Sequence, residues 1–174
     1  MSSRAQVAVA AMIAVLSAIG IAFVVHGWIS HDGAPSSAPA GLRERAAVAP
    51  FAGYREVRVV LADTTKRACG RFVVADTEQR REDGLRGVHD LGPYAGMLFA
   101  QPGDSRIAFT MSGVSDPLEI AWYAKDGARV GAAHMKPCPN GGNDCPLYRS
   151  PRAYRSAIEV PGGRALPTTL SPCS

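Results

Sequence analysis

Residues 117–133 read PLEIAWYAKDGARVGAA, and this stretch decides the fold class of the chain. Two apolar runs, 117–123 and 129–133, flank the turn-forming tripeptide Lys-Asp-Gly at 125–127. A short Asp-Gly turn between two such runs is a strong local signal for a β-hairpin, because both residues tolerate the backbone angles of a tight turn. The stretch therefore predicts two antiparallel strands joined by that turn.

Short apolar runs of the same kind continue on both sides of this hairpin. They predict further strands at residues 56–61, 70–75, 96–100, 106–111, 156–160 and 165–170. Turn-forming residues separate them, as in QPGD at 101–104 and the polar segment 62–69. About seven short strands with one helix favour a mainly β fold over alternating βαβ units. We therefore predict a compact β-barrel-like single domain.

One segment has the pattern of a short soluble helix. Residues 76–84 read DTEQRREDG, in which Asp76 or Thr77 suits the N-cap and Glu78 is favourable near the positive end of the helix dipole. Gly84 suits the position after the last helical residue, where a positive φ is common. We expect this mostly polar helix on the surface of the domain.

The N-terminal part of the chain contains a strongly apolar segment. Residues 7–25 carry no charge and would form a helix of roughly 28 Å, close to the ~30 Å hydrocarbon thickness of a bilayer. Arg4 precedes the segment, which favours a cytoplasmic N-terminus. We predict a cytoplasmic stub at 1–6, a transmembrane signal-anchor helix at 7–25, a flexible linker at 26–53 and an extracytoplasmic β-rich domain at 54–174.

A cleaved signal peptide is the alternative interpretation of the same segment. The apolar region of a signal peptide is usually about 7–15 residues long, which is shorter than this one. The small-residue site at 38–40 also lies far beyond the apolar run. Both interpretations place the domain outside the cytoplasm, either as a single-pass cell-membrane protein or as a secreted one.

The net charge of +4 is too small to predict nucleic-acid binding. The basic run Arg149, Arg152 and Arg155 alternates with Tyr148 and Tyr154. It has two interpretations, a solvated loop that leads into a strand and a contact surface for an anionic envelope polymer. The sequence favours the solvated loop, and the cytoplasmic membrane is the one partner that it predicts directly.

The four cysteines, Cys69, Cys138, Cys145 and Cys173, all lie beyond the apolar segment. An even number of cysteines in an exported domain predicts disulfides, here with three possible pairings. We predict Cys138–Cys145, which closes a short loop of turn-forming residues, and Cys69–Cys173. Zinc held by His134, Cys138 and Cys145 is the alternative, but structural zinc sites need four ligands. We therefore predict no metal and no cofactor.

Two carboxylates stand inside predicted strands, Glu119 in 117–123 and Glu159 in 156–160. Because side chains alternate along a strand, each carboxylate faces away from its apolar neighbours. If the two strands are adjacent, the carboxylates would share a face and one would have a raised pKa. In the alternative interpretation each is exposed to solvent or paired with an arginine.

No local catalytic motif is present in the sequence. The serine nucleophile elbow, the zinc-binding His-Glu helix, the phosphate loop and the dinucleotide-binding glycines are all missing. Catalytic residues can also assemble from distant positions, so the sequence leaves them unknown.

Several motifs occur in an order that is specific as a set. They comprise Thr77, Arg81, Gly84 and Leu85, then Gly96, Met97, Leu98 and Phe99, then Met111, Pro117, Leu118, Glu119 and Ile120, and finally Ile158, Glu159, Val160, Gly162 and Gly163. With them the chain resembles the domain-of-unknown-function 192 family, in its cysteine-bearing branch. The resemblance implies a compact β-barrel-like domain, and it implies no reaction.

The chain departs from the family pattern at residues 110–114, which read TMSGV where the family has Trp-Met-Lys-Asn-Thr. The usual Asp is Glu119 here, and the Met that follows Gly-Leu is Arg86. A ligand held by the family's Lys-Asn-Thr cluster is therefore not implied for this chain.

Two functions of different classes follow from the sequence. The first is a membrane-anchored extracytoplasmic binding or envelope-associated module, and the second is an extracytoplasmic enzyme in which Arg81, Glu119 and Glu159 converge in a pocket. The residues that we select as candidates for a binding site are Arg81, Met111, Asp116, Glu119 and Glu159.

Overall fold

The computed structural model describes residues 41–62 and 67–173 of the 174-residue chain. In chain order the elements are β1 (Arg45–Ala46), β2 (Arg55–Ala62), β3 (Arg67–Ala75), α1 (Glu78–Asp83), β4 (Gly96–Ser105), β5 (Phe109–Thr110), β6 (Leu118–Tyr123), β7 (Arg129–Met135), β8 (Leu147–Tyr148) and β9 (Tyr154–Pro161). The fold is therefore mainly β with one short helix, as the sequence predicts.

Seven of the strands form one sheet in the order β1-β2-β3-β4-β9-β6-β7. The β3–β4 pair is parallel and the other neighbouring pairs are antiparallel, while β5 and β8 form a separate two-stranded sheet. Within the described residues β1 and β7 stand at opposite ends of the large sheet and do not pair. The predicted barrel-like closure is therefore wrong, because no strand joins the two ends.

The C-terminal tail lies between these two ends of the sheet. Its residue Pro172 makes an isolated bridge to Val59 of β2, and Thr169 makes another to Ala128 beside β7. The backbone N–H of Leu170 donates to the carbonyl of Gly127 at 2.8 Å. The sequence predicts a strand at 165–170, but the structure forms only these isolated bridges. The tail thus contacts both β2 and the residues just before β7 without joining the sheet as a strand.

The Lys-Asp-Gly hairpin is present as β6 and β7, which are antiparallel partners. Elsewhere the strand boundaries differ from the prediction. The predicted turn at 101–104 lies inside β4, whose pairing with β9 continues to Ser105 across an irregularity. The predicted strand at 106–111 shrinks to β5, and the two-residue strands β1 and β8 have no sequence signal.

Apolar side chains are buried on both faces of the sheet. The first face packs beneath the segment that follows α1, and its large residues include Met97, Phe99, Met111, Ile120 and Trp122. The second face packs against the tail, and it includes Val57, Phe72, Leu98, Tyr123 and Ile158. Burial on both faces explains why several strands read as continuous apolar runs rather than as alternating ones.

The helix α1 begins and ends where its capping residues predict. The Thr77 hydroxyl accepts a hydrogen bond from the Arg80 backbone N–H at 3.2 Å, and Gly84 follows the helix with φ of 53°. Such a φ favours glycine, which has no Cβ to clash with the backbone. The chain therefore turns sharply at Gly84 towards the first face of the sheet.

Residues 41–53, which the sequence assigns to the linker, pack against the domain. The strand β1 pairs with β2, and the side chains of Ala47 and Phe51 are buried. The backbone N–H of Val48 donates to the Tyr94 hydroxyl at 2.7 Å. The packed part of the chain therefore begins before residue 54.

Charged residues also hold this segment in place. Arg55 forms ion pairs with Glu44 and Asp76, and Arg80 reaches the same Asp76 at 2.8 Å. Burial alone would raise the pKa of Asp76, but the hydrogen bonds from Arg55 and Arg80 outweigh that effect and lower it. Arg55 and Asp76 together therefore link the segment before β2 to α1.

Both predicted disulfides are present. Cys69 of β3 is bonded to Cys173 of the tail, and Cys138 is bonded to Cys145 across the loop between β7 and β8. The predicted transmembrane helix at 7–25 lies outside the described residues. In the part of the chain that the structure describes, no helix has the length and apolar character needed to cross a bilayer.

Candidate functional site

A pocket of about 460 Å³ lies between α1, β4, β5 and β9. Eight apolar side chains line it, namely Leu85, Phe99, Ile107, Ala108, Phe109, Met111, Val114 and Leu118. Of its eight polar side chains, Arg81, Gln101, Thr110 and Glu159 are buried or half-buried, whereas Glu78, Glu82, Asp83 and Arg86 are exposed. A concave apolar site with a few converging polar groups is the usual form of a small-molecule site.

The aromatic part of the wall comes from two strands that belong to different sheets. Phe99 of β4 and Phe109 of β5 meet edge to face, with ring centroids 5.1 Å apart. The ring of Phe109 also packs against that of Trp122, with their centroids 6.3 Å apart. Because β5 pairs only with β8 in the described residues, Phe109 reaches the pocket wall from outside the main sheet.

Glu159 projects into the pocket from β9, in the middle of the sheet. Its side chain lies on the same face of the sheet as those of its cross-strand neighbours Met97 and Ile120. Only 5% of the Glu159 surface is exposed. Among the described residues no hydrogen bond or ion pair reaches its carboxylate. Burial raises the pKa of Glu159 to about 8. The group is therefore mostly protonated at neutral pH, and it has both a donor and an acceptor to offer a ligand.

Arg81 lines the pocket from α1. Its guanidinium group donates to the backbone carbonyls of Asp76 and Ala100 at 2.8 and 3.1 Å. Within the described part of the chain it forms no ion pair, since Asp76 gives its carboxylate to Arg55 and Arg80. The positive charge is thus fixed at the pocket wall by backbone oxygens and lacks a neutralising carboxylate.

Glu119 lies on the opposite face of the sheet from Glu159. The register of β6 and β9 pairs Glu119 with Val160 and Ile120 with Glu159. Residues that pair directly share a face, so the one-residue offset separates the two carboxylates. The expectation that they share a face is therefore wrong, even though their strands are adjacent.

On that other face Glu119 has partners of its own. Its Oε1 lies 2.8 Å from Nδ1 of His134 and accepts from the Gly163 backbone N–H at 3.2 Å. The hydrogen bond with His134 lowers the pKa of Glu119. The alternative interpretation, a carboxylate with a local partner, describes Glu119 well, although the partner is a histidine and not an arginine.

Of the five candidate residues, the structure brings three together. Arg81, Met111 and Glu159 line the pocket, whereas Glu119 and the exposed Asp116 do not. The sequence did not single out Phe99, Phe109 or Gln101 as binding residues. Phe99 belongs to the Gly-Met-Leu-Phe motif, which is a signal that was available. Phe109 lies in the predicted strand at 106–111, but no local pattern shows that its ring would line a pocket.

The zinc alternative at His134, Cys138 and Cys145 is not formed, because the two cysteines are bonded to each other. Across residues 41–62 and 67–173 no group of three or more His, Cys, Asp or Glu side chains is arranged to hold a metal ion. In the basic run, Arg149 and Arg152 are exposed and Arg155 is half-buried, and none of the three lines the pocket.

Comparisons with known proteins identify one uncharacterised family and two similar solved structures. The profile of the domain-of-unknown-function 192 family, described as an uncharacterised ACR, matches residues 58–172. No curated protein matches the chain. A crystal structure of a protein of unknown function from Novosphingobium aromaticivorans DSM 12444 is similar, with 24% identity, a TM-score of 0.58, and coverage of 75% of this chain and 89% of that one.

A second crystal structure has the same fold. It is of a protein from Sinorhizobium meliloti 1021 whose description proposes a transcription regulator, with 22% identity, a TM-score of 0.58, and coverage of 68% of this chain and 95% of that one. At these identities both structures indicate a shared fold alone.

Proposed function

Since the chain belongs to the domain-of-unknown-function 192 family, which is uncharacterised, we propose its function from the pocket itself. The protein is a binding module for a small, largely apolar molecule, and it is held at the outer face of the cytoplasmic membrane by residues 7–25. The pocket of about 460 Å³ lies within the range of roughly 300–1,000 Å³ that is usual for small-molecule sites.

One observation carries the binding proposal, the unpartnered carboxyl of Glu159 at the pocket wall. The carboxyl lines the pocket and has no hydrogen-bond partner among the described residues. A ligand that bonds to it would therefore add a favourable interaction that the protein itself does not supply there. Strained or unsatisfied groups of this kind concentrate at functional sites.

The proposed location rests on the sequence and on the disulfides. The apolar run at 7–25 is long enough to span a bilayer. All four cysteines are paired in the structure, and disulfides persist mainly outside the cytoplasm. Both features support an extracytoplasmic domain.

The enzyme alternative has weaker support. It needs Arg81, Glu119 and Glu159 in one pocket, and only Arg81 and Glu159 line it. The raised pKa of Glu159 is a property of many general acids, but Glu119, the second carboxylate that this alternative needs, lies on the other face of the sheet. The basic run outside the pocket likewise gives no specific support for an envelope polymer.

The binding proposal can be tested by filling the pocket. Ala108 lines the pocket, whereas Ala132 of β7 is exposed outside it. A screen of small apolar compounds against the full chain in mild detergent, read out as a rise in melting temperature, should find compounds that stabilise the protein. Ala108→Trp should abolish that effect, and Ala132→Trp should preserve it. Compounds that stabilise both variants equally, or no stabilising compound at all, would contradict the proposal.

The location is tested separately with reporter fusions after residue 174. A reporter that is active only outside the cytoplasm should be active in the fusion, and a cytoplasmic reporter should be silent. The opposite result would refute the anchor, and sequencing the N-terminus of the mature protein would show whether residues 7–25 are retained.

A further inference from the structure

We propose that the pocket takes an organic anion with an apolar body, such as a small carboxylic acid, and that its oxyanion binds Arg81 while Glu159 donates a hydrogen bond to a second acceptor. This inference deepens the proposed function and rests on it, because it specifies the chemistry of the ligand for the same pocket.

Arg81 places a positive charge at the pocket wall. The guanidinium is held by the carbonyls of Asp76 and Ala100, both contacts being made by a single nitrogen, Nη1. Arginine has five N–H donors, so others remain for a ligand. A guanidinium binds a carboxylate or phosphate with two parallel hydrogen bonds, which are stronger than neutral ones. An anion is therefore the ligand group that best matches this part of the wall.

Glu159 contributes a second polar group to the pocket wall. Because burial raises the pKa of its carboxyl to about 8, the group carries a proton at neutral pH and acts as a donor. A protonated carboxyl does not repel an anion, whereas an ionised one would. Arg81 and Glu159 thus both offer donors, and a ligand rich in acceptors satisfies both of them.

Arg81 and Glu159 contact or face different positions along β4. Arg81 is bonded to the carbonyl of Ala100, and Glu159 lies opposite Met97, three residues earlier in the same strand. Three residues of extended strand span roughly 10 Å. Phe99 lies between these points on β4 and lines the pocket, and its ring packs against that of Phe109. The two polar groups therefore lie at different places along an apolar surface, which suits an apolar body between them.

Four other titratable residues line the pocket, all on α1 or just after it, namely Glu78, Glu82, Asp83 and Arg86. All four are exposed, so water and salt screen their charges. Arg81 is half-buried, and its charge is therefore screened less than theirs.

The test uses three probes with one apolar body, namely 4-phenylbutyrate, 4-phenylbutyramide and 4-phenylbutylamine. Binding to the full chain in mild detergent is measured by calorimetry at about pH 6.5 and about pH 9.5. At the lower pH, 4-phenylbutyrate should bind about tenfold more tightly than 4-phenylbutylamine. The positive charge of Arg81 attracts the carboxylate and repels the ammonium group. At the higher pH the affinity for the acid should fall about tenfold, since Glu159 is then ionised.

Variants identify the groups responsible. Arg81→Met should lower the affinity for 4-phenylbutyrate about tenfold and leave that for 4-phenylbutyramide nearly unchanged. Glu159→Gln should keep the acid bound at both pH values. Two matched controls should leave the affinity for 4-phenylbutyrate unchanged. Arg152→Met replaces an exposed arginine outside the pocket, and Glu119→Gln replaces a carboxylate on the other face of the sheet. Circular dichroism spectra will show whether Arg81→Met is folded, and Arg81→Lys provides a milder second variant.

The outcomes separate this inference from the function on which it rests. Equal binding of all three probes, or tighter binding of the amine, would leave the small-molecule site in place and refute the anion. An effect of Arg81→Met that is as large for the amide as for the acid would also refute it. If none of the three probes binds and the wider screen also fails, the proposed function falls together with the inference.

Discussion

Glu159 lies directly opposite Ile120 across β9 and β6, and Glu119 lies directly opposite Val160 across the same two strands. This offset by one residue places the two carboxylates on opposite faces of one sheet. Glu159 is buried without a partner among the described residues, and Glu119 bonds to His134. Their pKa values consequently shift in opposite directions, upwards for Glu159 and downwards for Glu119.

Replacing Glu159 should change how stability depends on pH. Its pKa is near 4.5 when exposed and about 8 in the folded chain, so the folded state binds the extra proton between these values. Stability contributed by the protonated form is present at low pH and is lost as pH rises towards 8. The free energy of unfolding of Glu159→Gln should equal that of the parent protein near pH 5 and exceed it by a few kcal/mol near pH 9. Urea unfolding at the two pH values measures the difference.

Glu119→Gln is the matched control, and its effect on stability should have the opposite sign. The folded pKa of Glu119 is lowered, so its contribution is present above the unfolded pKa and is lost as pH falls through the folded value. We expect a loss of about 1 kcal/mol or less at neutral pH, because the pair with His134 is partly exposed. If Glu159→Gln lost stability at high pH as well, the assignment of Glu159 as a buried, unpaired acid would be wrong.

Tyr94 should be important for holding residues 47–51 on the domain. Its hydroxyl accepts from the Val48 N–H at 2.7 Å and donates to the Glu56 carboxylate at 3.0 Å. Tyr94→Phe leaves a buried acceptor and a backbone donor without that partner, and we expect a loss of about 1–3 kcal/mol in the free energy of unfolding. Hydrogen exchange should also become faster at residues 47–51.

Tyr148→Phe provides the comparison for this prediction. Its hydroxyl likewise accepts a backbone hydrogen bond, from Lys136 at 2.8 Å, but in an exposed setting. Water replaces the lost contact there, so the loss should be smaller than for Tyr94→Phe. Equal losses in the two variants, with unchanged exchange at residues 47–51, would show that this segment docks without the hydroxyl.

Gly96 should tolerate no side chain, because a Cβ at this position would overlap the backbone carbonyl of Glu159. Gly96→Ala would push β4 away from β9 at the wall of the pocket, and we expect it to cost about 2 kcal/mol or more. Gly103→Ala, on the same strand, would place its Cβ 3.7 Å from the Arg155 side chain, which is an ordinary contact. Thermal unfolding of the two variants tests this, and a melting temperature for Gly96→Ala equal to that for Gly103→Ala would contradict it.

The features that sequence alone predicted are those fixed by neighbouring residues. The turn at 125–127 and the caps Thr77 and Gly84 depend on local backbone preferences, and the structure has all of them. The pairing of β9 with β6 and β4 depends on contacts between segments far apart in the chain. A shift of one residue in that pairing exchanges the faces of every side chain, and no local pattern reports it.

The same distinction explains the strand boundaries and the pocket. QPGD at 101–104 has the composition of a turn, yet β4 continues through it because Ser105 pairs with Tyr154 of β9 beyond a bulge. Arg81, Met111 and Glu159 could be selected from the sequence as motif residues. That they meet, and that Glu119 does not join them, follows from sheet topology, as does the position of Phe109 at the pocket wall.

The two disulfides should differ in how much they stabilise the fold. Cys69–Cys173 spans 104 residues and Cys138–Cys145 spans 7. In the chain-entropy model the long loop contributes about 4–5 kcal/mol and the short one about 2–3 kcal/mol, because a cross-link restricts the unfolded chain more when it closes a longer loop. The double variant Cys69→Ser/Cys173→Ser should therefore lose more stability than Cys138→Ser/Cys145→Ser. Both are compared by urea unfolding.

The full entropy difference is expected only if the tail is ordered in the folded protein. The Cys173 N–H donates to the Arg58 carbonyl at 3.2 Å, and the Val60 N–H donates to the Ser171 carbonyl at 3.0 Å. Because these bonds hold the tail on β2 in the folded protein, the long disulfide closes its loop between ordered ends. Non-reducing peptide mapping gives the pairing directly. A cross-link between Cys69 and Cys138 or Cys145, or a smaller loss on removing Cys69–Cys173 than on removing Cys138–Cys145, would show that the tail does not hold the sheet as described.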